Sequence, residues 1–310
     1  MSVNILFAAH ATRWATYRPH LIRALTAAGL DFDLRAKFPP DQVDYIIYAP
    51  NSAVQDFTPF TRLKAVLSLW AGVETVVGNQ TLTVPLTRMV DHGLTQGMME
   101  WVTGHVLRHH LGMDAHIATR NGTWTPAIPP LAGNRAVSIL GLGELGRTCA
   151  TALASLGFRV TGWSRSARQI DGITCLHGAT GLTDALNSAE IAVLLLPGTP
   201  ATTNLLNADT LSAMPRGAVI INPGRGTLID DDALLIALAS GHIAHATLDV
   251  FRTEPLPRDH PYWAHPNVTV TPHIASETRP ETASQTIAEN IQRGEAGAPF
   301  LHLVDRSLGY

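Results

Sequence analysis

The chain has 310 residues, 45% of them apolar, with a formal net charge of −3 and two cysteines. That length suits two domains with a core each, and the composition excludes an intrinsically disordered chain. The charge leaves no footprint for a nucleic-acid or anionic-membrane partner, and Cys149 and Cys175, without metal-ligand spacing, exclude a disulfide-built secreted scaffold and point to a reducing cytoplasm.

The opening MSVNILFAAH lacks the basic start of a signal peptide and reads as a first buried strand, Val3 to Ala9. No apolar run approaches the roughly 18 residues that span a bilayer. Helical spacing runs from Pro19 to Ala28 and stops at Gly29, and "DYIIYA" (44–49) and "AVLSLW" (65–70) are two further strands. This alternation predicts a small parallel α/β layer over residues 1–98. A long helix is expected from Thr95 to about Ala118, then a turn-rich linker, "NGTWTPAIPPLAGN" (121–134). "RAVSIL" opens a second series of strands that continues through "FRVTGW", "IAVLLLP", "GAVIIN", "HATLDVF" and "NVTVTP", with helical stretches such as "DDALLIALASG" between them. A last helix, Pro280 to Gly294, is expected to return to the first layer. The fold class is therefore α/β with two Rossmann-like domains. A doubly wound parallel sheet is expected over 99–279, and a smaller flavodoxin-like domain over 1–98 plus 280–310.

Gly141, Gly143 and Gly146 form a G-x-G-x-x-G pattern between the strand-like Val137–Leu140 and the helix-like Arg147–Leu156, with a second strand at Phe158–Gly162. In that βαβ context the first glycine permits the tight turn, the second admits a pyrophosphate to the backbone, and the third lets helix and strand pack closely. Glu144 and Leu145 lie within the motif. Where a ribose-binding acid is expected, about twenty residues on, the chain has "GWSRSAR" (162–168). A carboxylate there would repel a 2′-phosphate. The hydroxyls of Ser164 and Ser166 and the guanidinium of Arg165, aided by Arg168, suit a phosphate dianion. The site thus prefers NADPH, with NADH as the alternative cofactor.

Three polar residues follow three apolar strands: Arg225 in "VIINPGRGTLID", Glu254 in "LDVFRTEPLP" and His273 in "NVTVTPHIAS". In an open α/β sheet, ligands sit beyond the carboxyl ends of the strands. The planar fork of Arg225 can grip an α-keto acid. His273 can give the proton that a carbonyl oxygen needs when carbon receives hydride. Glu254 beside that imidazole would stabilise its protonated form.

With these segments the chain resembles the D-isomer-specific 2-hydroxyacid dehydrogenases, and within them the glyoxylate/hydroxypyruvate reductase A group. The resemblance rests on "LWAGVE", "RMVDHGLTQGMMEWV", "ILGLGELG", "GWSRS", "LLLPGTPATTN", "NPGRGTLIDDDAL", "LDVFRTEPLP", "HPNVTVTPHIAS" and the ending "VDRSLGY". It implies that Arg225, Glu254 and His273 occupy the family's catalytic positions, and that amides of Ala71-Gly72-Val73 hold the substrate carboxylate beside Trp70. It also implies that Leu196, Pro197, Thr202 and Pro223 lie near the cofactor and Asp249 near the nicotinamide carboxamide. The smaller domain would then bind substrate and the larger the dinucleotide. The implied activity is NADPH-dependent reduction of small 2-keto acids, glyoxylate to glycolate and hydroxypyruvate to glycerate, by a homodimer. The alternatives are a reductase of bulkier keto acids such as phenylpyruvate and a nucleotide-sensing protein on the same fold. One departure stands out. The family has Ala or Ser before its catalytic Arg, whereas this chain has Pro223-Gly224, where Pro223 offers no amide and Gly224 is expected to loosen the backbone.

His105 and His109 have metal-ligand spacing on a helix, but Val106 stands where a zinc-protease motif needs Glu, and no metal is expected. Met98, Met99 and Trp101 on the same stretch read as packing residues.

Overall fold

The computed structural model describes residues 2–118 and 122–310; Met1 and Asn121, the first residue of the expected linker, lie outside the described residues. In chain order the elements are β1 (Val3–Ala8), α1 (Ala11–Ala27), β2 (Phe32–Arg35), β3 (Tyr45–Tyr48), β4 (Ala65–Ser68), β5 (Leu86–Thr87), α2 (His92–His110) and α3 (Met113–Ala118). There follow β6 (Ala136–Leu140), α4 (Glu144–Ser155), β7 (Arg159–Ser164), β8 (Thr174–His177), α5 (Gly178–Asn187), β9 (Ile191–Leu194) and α6 (Ala208–Ala213). The chain ends with β10 (Ala218–Asn222), α7 (Asp231–Ala239), β11 (Ile243–Leu248), β12 (Val268–Val270) and α8 (Pro280–Glu295). The chain divides into two compact units, one from the start to Leu94 plus Glu277–Tyr310, the other Thr95–Ser276, with the boundary inside α2.

The smaller unit is a parallel sheet in the order β2-β1-β3-β4-β5, the flavodoxin-like winding. Its central strands are apolar on both faces because both faces are covered. Ile5, Tyr45 and Ile47 pack with Tyr17, Leu21 and Leu25 of α1 and with Ile287 and Ile291 of α8. Leu6, Ile46 and Tyr48 face a second core with Val73, Val76, Leu82 and Val304.

The larger unit is a seven-stranded parallel sheet, β12-β11-β10-β9-β6-β7-β8. The direction of winding reverses between β6 and β9, as in doubly wound nucleotide-binding sheets. One face packs on α5, α6 and α7 residues, the other on α4 and on Met98, Val102 and Val106 of α2, with Met99 and Trp101 partly buried against the same core. The packing reading of that helix therefore holds. Among the described residues no helix is long and apolar enough to cross a membrane, and no group of three or more His, Cys, Asp or Glu is placed to hold a metal ion.

Several elements differ from the sequence reading. Helix α1 begins at Ala11 and carries Pro19 inside it; the proline, which reads as a helix start, sits mid-helix where tertiary packing of Tyr17 and Leu21 outweighs its lost amide. The single long helix expected to reach Ala118 is two, α2 and α3, parted at Gly112, whose φ of +63° suits only glycine comfortably. Strands β2, β5 and β8 went unread, because their mixed or two-residue sequences carry no periodic signal.

His109 of α2 and His245 of β11 lie ring against ring, with centroids 4.9 Å apart and planes tilted by 46°. His109 Nε2 meets Thr247 Oγ1 at 2.9 Å, His245 Nε2 meets Thr269 Oγ1 at 2.8 Å, and Arg108 bonds both Thr269 and Asp114. Burial, followed for His109 by the facing His245, holds His109 at about 3 and His245 at about 4. The unfolded chain takes up these protons near pH 6.5 and the folded chain far lower, so their contribution to stability is full above about pH 6.5 and is lost as pH falls toward 4. Urea unfolding between pH 7 and 4 should show this decline. Replacing His109 with Gln should remove about one proton of uptake on unfolding at pH 5, and an unchanged slope would show that His109 is not held neutral.

Candidate active site

Because every strand of the larger sheet is parallel, all its carboxyl ends meet one edge, and the loops after β6, β7, β9, β10, β11 and β12 emerge there together. At the winding reversal the Gly141 amide donates to Trp163 O at 2.8 Å, and the Leu195 amide to Leu140 O at 2.7 Å. Gly141 has φ +112°, and a Cβ there would lie 2.4 Å from Leu195 O. A Cβ on Gly146 would sit 1.7 Å from Gly141 O, so the third glycine is what lets α4 approach its strand. Gly143 differs: a Cβ there would meet nothing within 4 Å. It is the N-cap of α4, supplies no side-chain cap, and leaves the amides of Glu144, Leu145 and Gly146 at the helix start. An open backbone at an uncapped helix N-terminus fits an approaching pyrophosphate. The Glu144 side chain pairs instead with Arg147, 3.1 Å away at the surface.

Strand β7 ends at Ser164, whose hydroxyl donates to Ser166 O at 2.8 Å and so bends the segment back on itself. Arg165, Ser166 and Arg168 are exposed there. On the other side of the reversal, Leu196 and Pro197 follow β9, and the Thr202 hydroxyl donates to Pro197 O at 2.7 Å, closing that loop.

Two buried polar residues shape the next loops: Asn222, which the sequence reading did not single out, and Asp249, which it named only as a cofactor neighbour. At the end of β10, Asn222 takes the Gly224 amide on Oδ1 at 3.0 Å and gives Nδ2 to Arg225 O at 2.9 Å. Gly224 is not loose, as the sequence reading had it. It is buried, amide-bonded, and a Cβ on it would lie 2.8 Å from Leu194 O. Pro223 is buried beside it. Arg225 Nη1 donates back to Gly224 O at 2.7 Å. After β11, Asp249 is fully buried, its amide on Asn222 O at 3.0 Å. Its carboxylate receives Thr271 Oγ1 at 2.5 Å, Ile274 N at 2.9 Å and Ala275 N at 2.8 Å, and its carbonyl receives the His273 amide at 2.9 Å. The visible signal for both residues was a polar side chain closing an apolar strand.

This frame holds His273 at φ +53°, a strained conformation for a residue with a Cβ. Its Nδ1 lies 2.7 Å from Glu254 Oε2, with the imidazole side chain 51% exposed. Glu254 Oε1 accepts the Phe251 amide at 2.9 Å. The hydrogen bond to Glu254 raises the His273 pKa above the ordinary histidine value, outweighing burial, which acts the other way. Burial alone would raise Glu254, but the hydrogen bonds from His273 and Phe251 outweigh it and hold the carboxyl below its usual range. The Arg225 guanidinium lies near enough to favour ionised Glu254 and to oppose protonated His273. The structure therefore brings Arg225, Glu254 and His273 together: an imidazole hydrogen-bonded to a carboxylate that favours its protonated form, with a guanidinium near both.

In the smaller unit, β4 leads into Trp70, Ala71, Gly72 and Val73. Trp70 is 43% exposed, and its amide and carbonyl both meet Ser68 Oγ, at 3.0 and 3.1 Å. No acceptor among the described residues meets the amides of Ala71, Gly72 or Val73.

A family model described as D-isomer specific 2-hydroxyacid dehydrogenase, NAD binding domain, matches residues 104–275. The chain belongs to the D-isomer specific 2-hydroxyacid dehydrogenase family. The matched stretch lies in the larger unit and holds the glycine motif, Arg225, Glu254 and His273. Among curated relatives, glyoxylate/hydroxypyruvate reductase A of Serratia proteamaculans is 42% identical over 257 residues, 80% of this chain and 82% of that one. Among solved structures, a D-isomer specific 2-hydroxyacid dehydrogenase from Xanthobacter autotrophicus Py2, in complex with NADPH and MES, is 42% identical with a TM-score of 0.91 over the whole of both chains. The NADPH-dependent glyoxylate/hydroxypyruvate reductase of Sinorhizobium meliloti, in complex with NADP and sulfate, is 34% identical with a TM-score of 0.85, again over the whole of both.

The hydrogen-bonded pair makes a prediction independent of turnover. In an NMR titration the His273 imidazole should titrate above the ordinary value of about 6.5. In Glu254→Gln it should titrate lower than in the unaltered chain. Coincident titration curves would mean that the pair does not persist in solution.

Proposed function

We propose that this dehydrogenase reduces small 2-keto acids with NADPH, glyoxylate and hydroxypyruvate foremost. The observation that carries the reading is the His273–Glu254 pair at 2.7 Å beside Arg225, on the strand edge that also carries the open Gly143 backbone. The names of the Serratia and Sinorhizobium relatives and the NADPH or NADP in the two solved complexes support it.

In this reading Arg225 grips and polarises the keto acid through its planar fork. His273 delivers the proton to the carbonyl oxygen and Glu254 keeps it protonated. When bound, the dinucleotide supplies the hydride to the keto carbon. Gly141, Gly143, Glu144, Leu145 and Gly146 hold its pyrophosphate, and Ser164, Arg165 and Ser166 its 2′-phosphate. Leu196, Pro197, Thr202 and Pro223 line its path, with Asp249 toward the carboxamide end. The free amides of Ala71, Gly72 and Val73 take the substrate carboxylate, and Trp70 limits substrate size. The smaller unit is thus the substrate-binding domain and the larger the dinucleotide-binding domain.

The proposal extends to a homodimer: Trp124 and Ile128 are 94% and Leu131 81% exposed in one short segment, an apolar surface that suits a second copy. Two free cysteines and a net charge of −3 support a cytoplasmic enzyme of small molecules without nucleic-acid or membrane partners.

A panel of glyoxylate, hydroxypyruvate and phenylpyruvate assayed with NADPH and NADH tests the reading. The first two should turn over best, and with NADPH. Preference for phenylpyruvate would move the substrate class, and nucleotide binding without any turnover would mark a sensing protein. In the same assay Arg165→Ala should weaken NADPH by about 1.5–3 kcal/mol, the size of a lost charged hydrogen bond, and NADH far less.

The raised pKa of His273 sets the pH dependence. The acid form is needed for reduction, so kcat/KM for glyoxylate should hold at low pH and fall as pH rises through a value above about 6.5. Glu254→Gln should move that alkaline limb to lower pH. A limb that stays in place would remove Glu254 from the role of partner.

A further inference from the structure

The C-terminal segment "VDRSLGY" is used almost residue by residue in the smaller unit. Val304 is buried in one core with Val73, Val76 and Leu82, and its amide donates to Leu86 O at 2.9 Å. Asp305 Oδ1 accepts the Ser307 amide and hydroxyl, at 2.9 and 2.6 Å. The Gly309 amide donates to Asp305 O at 2.9 Å with φ +83°, and the Asp305 amide to Tyr310 O at 3.1 Å, so the last residues close into a turn. That turn presents Arg306. Its Nε and Nη2 both donate to Val77 O at 3.1 Å, Nη2 donates to Asn79 O at 2.7 Å, and Nη1 donates to Leu82 O.

Three main-chain carbonyls thus point at one guanidinium. A planar fork with several donors can satisfy all three at once and hold them in one arrangement, which separate waters would not. Val77 lies in the turn that begins at Val73, and Asn79 and Leu82 follow it in the same segment. Val73 O accepts the amides of Val76 and Val77, at 3.0 and 2.8 Å, and Val76 O that of Asn79 at 3.0 Å. The preceding residues are fixed from the other side, where Trp70 O accepts the Met89 amide at 2.9 Å and Leu69 O the Thr278 hydroxyl at 2.8 Å. Between these two anchors lie the amides of Ala71, Gly72 and Val73.

From this we infer that Arg306 is a positioning residue for substrate binding: it holds the turn whose leading amides receive the carboxylate of the keto acid. The inference rests on the proposed role of those amides. In this role Arg306 acts through the turn, its guanidinium taken up by the carbonyls of Val77, Asn79 and Leu82. It removes freedom from a loop that must otherwise be ordered when the anion binds, and ordering a loop in advance is what lowers the cost of binding. The family ending, which the chemistry at Arg225 and His273 leaves unexplained, gains a task.

The test uses the full chain with Arg306→Ala and Arg306→Lys. Arg306 is exposed, so water can take over the carbonyls and the fold should survive. Hydrogen exchange of residues 71–77 is read without any ligand. KM and kcat for glyoxylate are read at saturating NADPH, and NADPH affinity separately. In the Ala variant exchange at 71–77 should quicken and KM rise about tenfold, the scale of a slight misplacement of binding groups. The kcat and the NADPH affinity should stay close to those of the unaltered chain, and the Lys variant should fall between the two. Unchanged exchange in the Ala variant overturns the inference. So does quickened exchange with an unchanged KM, or a joint loss of kcat and NADPH affinity, which marks general loosening. An unaltered chain that turns over no keto acid overturns the functional reading and this inference with it. The exchange measurement distinguishes that failure from a tether that does not hold.

Discussion

The carboxylate of Asp249 organises the strand edge of the larger unit that carries Arg225, Glu254 and His273. It is fully buried, and its two oxygens collect a hydroxyl and two amides from the loop after β12. A buried charge left unpaired would cost several kcal/mol, so this loop has little freedom to leave. The loop's path then forces His273 into the left-handed backbone region and directs its imidazole at Glu254. Asp249 is itself held by Asn222 O, and Asn222 holds Gly224 and Arg225. One chain of hydrogen bonds therefore ties the loop of the guanidinium, after β10, to the loop of the imidazole, after β12, through Asp249 at the end of β11 between them.

The glycines at this edge serve two opposite ends. Gly226 lets two loops touch: a Cβ there would lie 2.0 Å from the carbonyl carbon of Phe251. The loop bearing Arg225 thereby presses on the loop bearing Glu254. Gly141 and Gly146 act likewise between β6, β9 and α4, where any side chain would collide with backbone. Gly143 answers no demand of the protein's own packing, since a side chain there would meet open space. A glycine in a nucleotide-binding motif that the fold does not need is best explained by the ligand that approaches it.

The sequence was most legible where burial is complete. The runs that became β3, β9 and β10 are continuous apolar stretches because parallel strands are covered on both faces, and they announce themselves. Edge strands β2 and β8 carry mixed residues at partly exposed positions and gave no period. The break between α2 and α3 turns on the backbone of Gly112, which residue identity alone does not disclose inside an otherwise helical pattern. At the site, Arg225, Glu254 and His273 could be found because each is polar and follows an apolar strand. The tethering by Asn222 and Asp249 could not, because it depends on which atoms lie across the loop. Gly224 was misread for the same reason: flexibility in isolation became tight packing against Leu194 O.

The order of strands also separates two tasks that share the sheet edge. The segment with Ser164 and Arg165 follows β7, and the segment with Arg225 follows β10, with β6 and β9 between them. Three strand spacings of about 4.8 Å put the two roughly 14 Å apart. That exceeds the screening length of about 8 Å at physiological ionic strength. Charges at the surface end of β7 therefore act weakly on the His273–Glu254 pair, whose pKa values are set by contacts within a few ångströms. A sheet built this way can exchange an acid for an arginine at β7, and with it one dinucleotide for another, without retuning the His273 imidazole. The same spacing lets hydroxyls and an arginine stand at 164–166 without disturbing the arrangement of Arg225, Glu254 and His273.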